Sequence, residues 1–263
     1  MAKLICLSSH INFKIYLFLL LTIDKQNLPK KIYAHIPLST DFDNWWYLGR
    51  KKILDNLIKN ENLQKKISIL DIGPGVGVNI EVLQNYGDVD ILEIDEFFIE
   101  IIKNNKGLNV NKIFKNFSDI KEKYDLVVFL DVLEHVEDFN SFLNNISNIL
   151  HDDGIGIMSV PAYQSLFSKH DEELHHFRRY NWSMVNEQVN KNFYLYKKFG
   201  YNYLLLPIRY LQIKFSKKPH SDTTLNRVAN TFLKVVINLE IRLLKSGINP
   251  KFGLSLFAAF KKK

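Results

Sequence analysis

Gly73, Gly75 and Gly77 stand at alternate positions directly behind a mostly apolar run, residues 67–72. Glycine reaches positive φ without steric cost and lets a ligand approach the backbone closely. A helix starting after such a turn aims its free N–H groups at that ligand. Asp71 stands just before the turn, and Glu93 closes a second apolar run further on. In a strand–helix–strand unit, an acid roughly twenty residues past the glycines can accept a pair of ribose hydroxyls. The pattern points to a nucleoside-containing cofactor. It reads G-x-G-x-G, not the G-x-G-x-x-G of a dinucleotide site, and lacks the G-K-[ST] ending of a phosphate-cradling loop. Taken alone, the glycines could also mark a tight turn and nothing more. Glu93 and Asp95 share a strand face, so either could reach the ribose; Glu93 is preferred.

A second chemical cluster holds His170, Asp171, His175, His176, Arg178, Arg179 and Tyr180. Histidine titrates near neutral pH and suits a general base. Asp171 could orient one histidine, with His170, His175 and His176 all candidates. Arg178 and Arg179 could pair with an anionic acceptor, or salt-bridge the neighbouring acids and hold the loop. Tyr163 and Tyr180 could shape a pocket or simply pack. Asp171, His175 and His176 are suitable zinc ligands, but adjacent histidines in a charged loop define no metal geometry, and no metal is expected.

These residues need elements to position them. Strands are expected at 68–72, 89–94, 110–114, 124–130, 155–160 and 193–201, with helices at 78–86, 97–104, 139–150 and 182–191. The helix at 139–150 repeats its apolar residues close to the helical period. Apolar strands alternating with helices imply a sheet buried on both faces, with ligands at the carboxyl ends of its strands. Asp71, Glu93, Asp131 and Pro161 fall at or near those ends. Thr40 or Asp41 is expected to cap a preceding helix that runs to about Asn60.

The chain has 263 residues, 46% of them hydrophobic, enough for one sizeable domain with an appendage. Formal net charge is +7, yet no nucleic-acid-binding module is recognisable, so nucleic acid is not an expected partner. A lone cysteine, Cys6, excludes an intrachain disulfide and a thiol-based metal framework.

The run Asp71-Ile72-Gly73-Pro74-Gly75-Val76-Gly77 resembles the cofactor motif of class I S-adenosylmethionine-dependent methyltransferases. Leu130-Asp131-Val132-Leu133-Glu134-His135 resembles the segment after their fourth strand, especially in the bacterial group related to quinone-biosynthesis methyltransferases. The later run from Val160-Pro161-Ala162-Tyr163 to Arg178-Arg179-Tyr180 resembles one subgroup more closely, and the similarity extends from about Trp45 to residues 252–256. The resemblance implies an α/β, Rossmann-like, seven-stranded, mostly parallel sheet with an antiparallel last strand, here at 252–260. That assignment leaves 203–250 as a helical insertion between strands six and seven. The implied cofactor is S-adenosyl-L-methionine. In this reading the glycine loop meets its carboxylate, Asp71 lies near its amino group, and Glu93 accepts the ribose hydroxyls. Asp131 and His135 line it from the other side; Glu134 and His135 could instead mainly fix their loop or cap the next helix. Pro74 departs from the more common small or cysteine residue, and the shortened run 115–119 leaves the adenine contact unplaced.

The expected activity is methyl transfer to a small, amphiphilic acceptor, on oxygen. The alternative is a noncatalytic membrane-associated adaptor that keeps the fold. Residues 1–39 read as an apolar extension and linker, and 40–263 as the methyltransferase domain. The apolar stretch 4–23 is broken by His10, Asn12 and Lys14, shorter than a spanning helix at its uninterrupted core. In and beside the two apolar pieces of the insertion, 203–215 and 228–244, Arg209, Lys214, Lys217, Lys218, Arg242 and Lys245 could sit among lipid headgroups. Partners are then a small-molecule acceptor, lipid-linked in one reading, and a membrane surface. The expected place is the cytoplasm, at the inner face of the cytoplasmic membrane if the protein is peripheral. The oligomeric state is left open.

Overall fold

The computed structural model describes residues 44–61, 63, 66–215 and 227–263. The chain divides into two units, Met1–Thr40 and Asp41–Lys263, and every strand and helix named here belongs to the second. The apolar stretch 4–23 and the linker after it lie outside the described residues.

Helix α1 (Trp45–Lys59) opens at Asn44, whose side chain caps it by accepting from the Trp46 N–H; Thr40 and Asp41 lie outside the described residues. Then come β1 (Ile67–Ile72), α2 (Ile80–Leu83), β2 (Gly87–Leu92), α3 (Glu96–Asn104), β3 (Ile113–Phe114) and β4 (Tyr124–Leu130). Next are α4 (Phe139–Ile149), β5 (Leu150–Pro161), α5 (Lys169–Glu173), α6 (Trp182–Val189) and β6 (Phe193–Tyr201). The insertion supplies α7 (Leu206–Phe215) and α8 (Arg227–Lys245), and β7 (Ser255–Lys262) closes the chain.

The seven strands form one sheet in the order β3-β2-β1-β4-β5-β7-β6. The first five run parallel, and β7 lies antiparallel between β5 and β6. Because successive strand residues point to opposite faces, β4 sends Leu126 and Val128 to one side and Val127 and Phe129 to the other. On the first side they meet Ile53, Leu54 and Leu57 of α1 and Ile237 and Ile241 of α8. On the second they meet Phe142, Leu143 and Ile146 of α4 and Val185 of α6. Helices cover both faces, as a parallel apolar sheet requires.

Several boundaries differ from the sequence expectation. The helix expected at 78–86 is a single turn, Ile80–Leu83, flanked by turns. Strand β2 begins at Gly87 and ends at Leu92, which moves Glu93 just past its carboxyl end. β5 reaches back to Leu150, with an irregular register where it meets β4 between Tyr124 and Leu126. β7 starts at Ser255 rather than 252.

Candidate functional site

The carboxyl ends of β1, β2, β4 and β5 make one rim. Gly73, Gly75 and Gly77 all adopt positive φ, of 64°, 55° and 88°. A side chain at Gly73 would meet Val132 at 2.8 Å and one at Gly77 would meet Leu108 at 2.5 Å. Beside Gly75 a Cβ would meet nothing within 4 Å. The loop is thus clamped at its two ends and open at its middle, where a ligand can lie against the backbone.

Asp71 is fully buried at the end of β1, and neither of its oxygens has a hydrogen-bond partner among the described residues. Burial pushes its pKa up to about 7, against the Asn79 amide and the Arg50 guanidinium, which favour the charged form; Glu93 adds to the rise. Asn79, also buried, has an unpartnered side-chain oxygen. Glu93 accepts from the Gly75 N–H at 3.2 Å and the Asp95 N–H at 3.0 Å. Burial raises its pKa, and those two N–H groups offset part of the rise. Asp95 instead caps α3 by accepting from the Phe97 N–H, which separates the two acids by task. Each oxygen of Glu93 keeps a further acceptor site.

Asp131 comes directly after β4 at φ 55°, in the left-handed region. Its carboxylate accepts from the Ser159 hydroxyl at 2.7 Å and pairs with Arg50 of α1 at 3.1 Å. Arg50 also donates to the Leu130 carbonyl, while its buried Nε has no partner among the described residues. Motif reading underweights Arg50, Asn79 and Ser159. Arg50 lies far from the motifs in sequence, Asn79 carries only its place two residues after Gly77, and Ser159 sits inside an apolar strand.

Asp131 leads into a 3-10 turn, Leu133–His135. Neither Glu134 nor His135 caps the next helix; Asp138 does, accepting from the Ser141 N–H. Glu134 is buried with one oxygen unpartnered, and burial together with the Asp131 charge pushes its pKa well up. The His135 ring stands edge-on to His176, with centroids 4.7 Å apart. Burial of the imidazole and the neighbouring His176 lower its pKa to about 4, although the residue keeps a solvent-facing side.

The loop after β5 is a fixed scaffold. Asp171 is fully buried and accepts from the Ser168 N–H, from His176 Nδ1 at 2.9 Å, and from Arg179 through both Nε and Nη2. Burial alone would raise its pKa; these partners outweigh burial and hold it below the usual carboxylate range. Of the expected histidines, the structure brings His176 to Asp171. His175 sits exposed at a turn with φ 58°, and His170 lies within α5. Arg178 donates to the carbonyls of Val136 and Glu137, Arg179 is buried on Asp171, and the Tyr180 hydroxyl donates to the Leu133 carbonyl. All three bond within the protein itself. Tyr163, at φ 61°, lines an apolar cleft of about 300 Å³ with Ser165, Leu166, Leu206, Pro207 and Tyr210. Glu134, His135 and His176 each offer a ligand atom within 4.8 Å of the others, a grouping able to hold a cation.

Residues 42–198 match a family model described as a methyltransferase domain. A ubiquinone biosynthesis O-methyltransferase of Rickettsia canadensis is 27% identical over 159 residues, which take in 53% of this chain and 64% of that relative. The chain spans less than two thirds of the length of the curated relatives it matches. Among solved structures, a protein of Pyrococcus horikoshii superposes with a TM-score of 0.57 at 16% identity, over 90% of this chain and 100% of the other. A phosphoethanolamine N-methyltransferase of Haemonchus contortus, in complex with S-adenosyl-L-methionine, gives 0.53 at 12% identity, over 91% and 61%. At such identities the structures speak for the fold alone. The matched family model covers more than half of the chain, and the strand order and glycine loop agree with it: the protein belongs to the class I S-adenosylmethionine-dependent methyltransferases.

Proposed function

We propose that the protein methylates an oxygen of a small amphiphilic molecule, using S-adenosylmethionine. The observation that carries this reading is the pairing, on one rim, of a glycine cradle with unsatisfied buried acceptors and a histidine held by a buried aspartate.

The residues present fit the cofactor. Asp71 and Asn79 offer buried oxygens without partners to an amino group. The open middle of the glycine loop takes the carboxylate, and Glu93 takes the ribose hydroxyls. Asp131, fixed by Arg50 and Ser159, and His135 bound the opposite side. When bound, S-adenosylmethionine supplies an electrophilic methyl group on sulfur.

The protein must then bring an acceptor oxygen in line and remove its proton. His176 is the proposed base. Its Nδ1 faces the Asp171 carboxylate, which fixes the tautomer with the proton on Nδ1 and leaves Nε2 free to accept. Arg179 and Ser168 hold Asp171 in place. His135, with its lowered pKa, is neutral at pH 7 and adds no charge beside the base. The proposed part of His170 and His175 is secondary, because it is His176 that Asp171 orients. The apolar cleft at Tyr163 takes the hydrophobic part of the acceptor. The curated relatives are named as O-methyltransferases of ubiquinone biosynthesis, which supports a quinone-like acceptor methylated on oxygen; a lipid-linked acceptor of that kind would place the work at the inner face of the cytoplasmic membrane.

The test is transfer of labelled methyl from S-adenosylmethionine to phenols and catechols with graded alkyl tails. Labelled methyl ethers, with KM falling as the tail lengthens, support the reading. Label found only on nitrogen or carbon, or cofactor binding without any turnover, overturns it, and the second outcome favours the adaptor.

One observation favours a second account of the proton step: the buried, unpartnered oxygen of Glu134 beside His135 and His176. A divalent cation there would acidify the acceptor hydroxyl directly. Turnover that is lost with a chelator and restored by a divalent cation selects this account over the histidine base.

A further inference from the structure

Helix α8 is apolar on two opposite faces. On a helix that advances about 100° per residue, Ile237, Ile241 and Leu244 share the face that enters the core. Opposite them, Val228, Phe232, Val235 and Leu239 keep i, i+4, i+7, i+11 spacing and fall in one stripe. Phe232 and Val235 are 61% and 62% exposed, and Val228 and Leu239 are exposed with them. A helix with apolar residues all round is normally covered on both sides.

The charges around the stripe indicate what covers it. The sequence of α8 holds one acid, Glu240, and it is turned inward, fully buried and accepting from the N–H groups of Asn202 and Leu204. Lys234, Arg242 and Lys245 lie along one flank of the stripe. The sequence of α7 likewise contains Arg209 and Lys214 and no acid, and α7 exposes Ile208 and Leu211. No helix among the described residues is long and apolar enough to cross a membrane. An apolar stripe whose flanking charges are all cationic is the pattern of a helix that lies in a lipid interface. A second copy fits poorly, because face-to-face α8 helices would set Lys and Arg against Lys and Arg with no exposed acid on the helix to offset them.

We propose that the Val228-Phe232-Val235-Leu239 stripe of α8 is a docking surface for an anionic lipid bilayer, with Lys234, Arg242 and Lys245 at the headgroups. This surface does not depend on what the catalytic site acts on. It joins the cleft at Tyr163 through one insertion, since α7 supplies Leu206, Pro207 and Tyr210 to that cleft.

The test is co-sedimentation of the full chain with phosphatidylcholine vesicles, with and without phosphatidylglycerol. Binding is expected to be about tenfold or more tighter to the anionic vesicles and to weaken in high salt. Phe232→Ser with Val235→Ser should weaken it about tenfold or more, and Arg242→Gln with Lys245→Gln should remove most of the preference for phosphatidylglycerol. Unchanged circular dichroism and S-adenosylmethionine affinity in these variants show that the fold is kept. Wild-type-like binding by both pairs would assign the membrane contact to the apolar stretch 4–23 and overturn the proposal. So would a protein that ignores both vesicle types but forms a dimer that Phe232→Ser with Val235→Ser dissociates.

Discussion

The two halves of the rim treat their buried polar groups in opposite ways. In the cofactor half, among the described residues, neither Asp71 oxygen has a hydrogen-bond partner, Asn79 Oδ1 is unpartnered, and the space beside Gly75 is open. In the loop after β5, Asp171 is equally buried but accepts from Ser168, His176 and Arg179. Burying a polar group without a partner costs about 1–3 kcal/mol. The first half carries that cost and recovers it when a ligand brings donors. The second half has met its own needs and offers a fixed histidine edge. One carboxylate is poised to receive a ligand, and the other builds the wall that a substrate meets. The pKa shifts run in opposite directions for this reason: burial dominates at Asp71 and raises it, while partners dominate at Asp171 and lower it.

The largest expected effect tests what the saturated half is for. His176→Asn should lower kcat about 10²–10⁴-fold with S-adenosylmethionine affinity unchanged, read by steady-state kinetics and calorimetry. If kcat is unaffected, the Asp171–His176 pair is scaffolding alone.

Asp171→Ala should leave Arg179 buried and uncompensated, at about 3–5 kcal/mol of stability, measured by denaturant unfolding. Asp71→Asn should do the reverse for the cofactor-free protein, raising its Tm at pH 8 because it removes a buried charge, while weakening cofactor binding. A loss of stability at both positions would erase the distinction between the halves.

The pH dependence distinguishes two groups within the cofactor half. Asp71 titrates at about 7 when folded, so S-adenosylmethionine affinity should fall as pH drops below 7, by at most about tenfold per unit. Its raised pKa also makes its contribution to stability fall as pH rises from its ordinary value through 7. His135 has the opposite sign. Its folded pKa of about 4 lies below the ordinary 6.5, so its contribution is present above 6.5 and lost as pH falls towards 4. His135→Asn should flatten the acid side of a Tm–pH profile, and Asp71→Asn the other component.

The smallest effect concerns the clamp. Gly73→Ala places a Cβ 2.8 Å from Val132 at φ 64°. It should cost about 1–2 kcal/mol and destabilise the cofactor-free protein more than Gly75→Ala, whose Cβ shares the positive-φ strain but meets no protein atom and instead enters the space left for the ligand.

What is legible in the sequence divides along the same line. Strands β4 and β6 match their expected spans, because unbroken or β-prone apolar runs leave little choice. Asp71, the glycines and Glu93 are legible because a positive-φ turn and a strand-end acid each demand a residue type. The helix after the loop is over-read, because Val78 and Asn79 still belong to turns that continue from Gly77 at φ 88°. β5 is under-read because His151, Asp152 and Asp153 look like a turn, yet the strand runs through them beside an irregularity in its register with β4. In the loop, the residue types are visible but their partners are not. Ser168 and Asp171 stand at capping-box spacing, a signal for α5 that the sequence carries. That Asp171 chooses His176 and Arg179 depends on how the chain turns at His175, where φ is positive. Arg50 and Ser159 reach Asp131 from distant segments, and no spacing rule records such contacts.

The most direct measurement is calorimetric titration of the folded protein with S-adenosylmethionine, beside Glu93→Ala. The account predicts saturable one-site binding, displaced by S-adenosylhomocysteine, that Glu93→Ala weakens about 100-fold or more through two lost charge-assisted hydrogen bonds. No binding by a wild-type chain shown to be folded, or equal binding by Glu93→Ala, would contradict it.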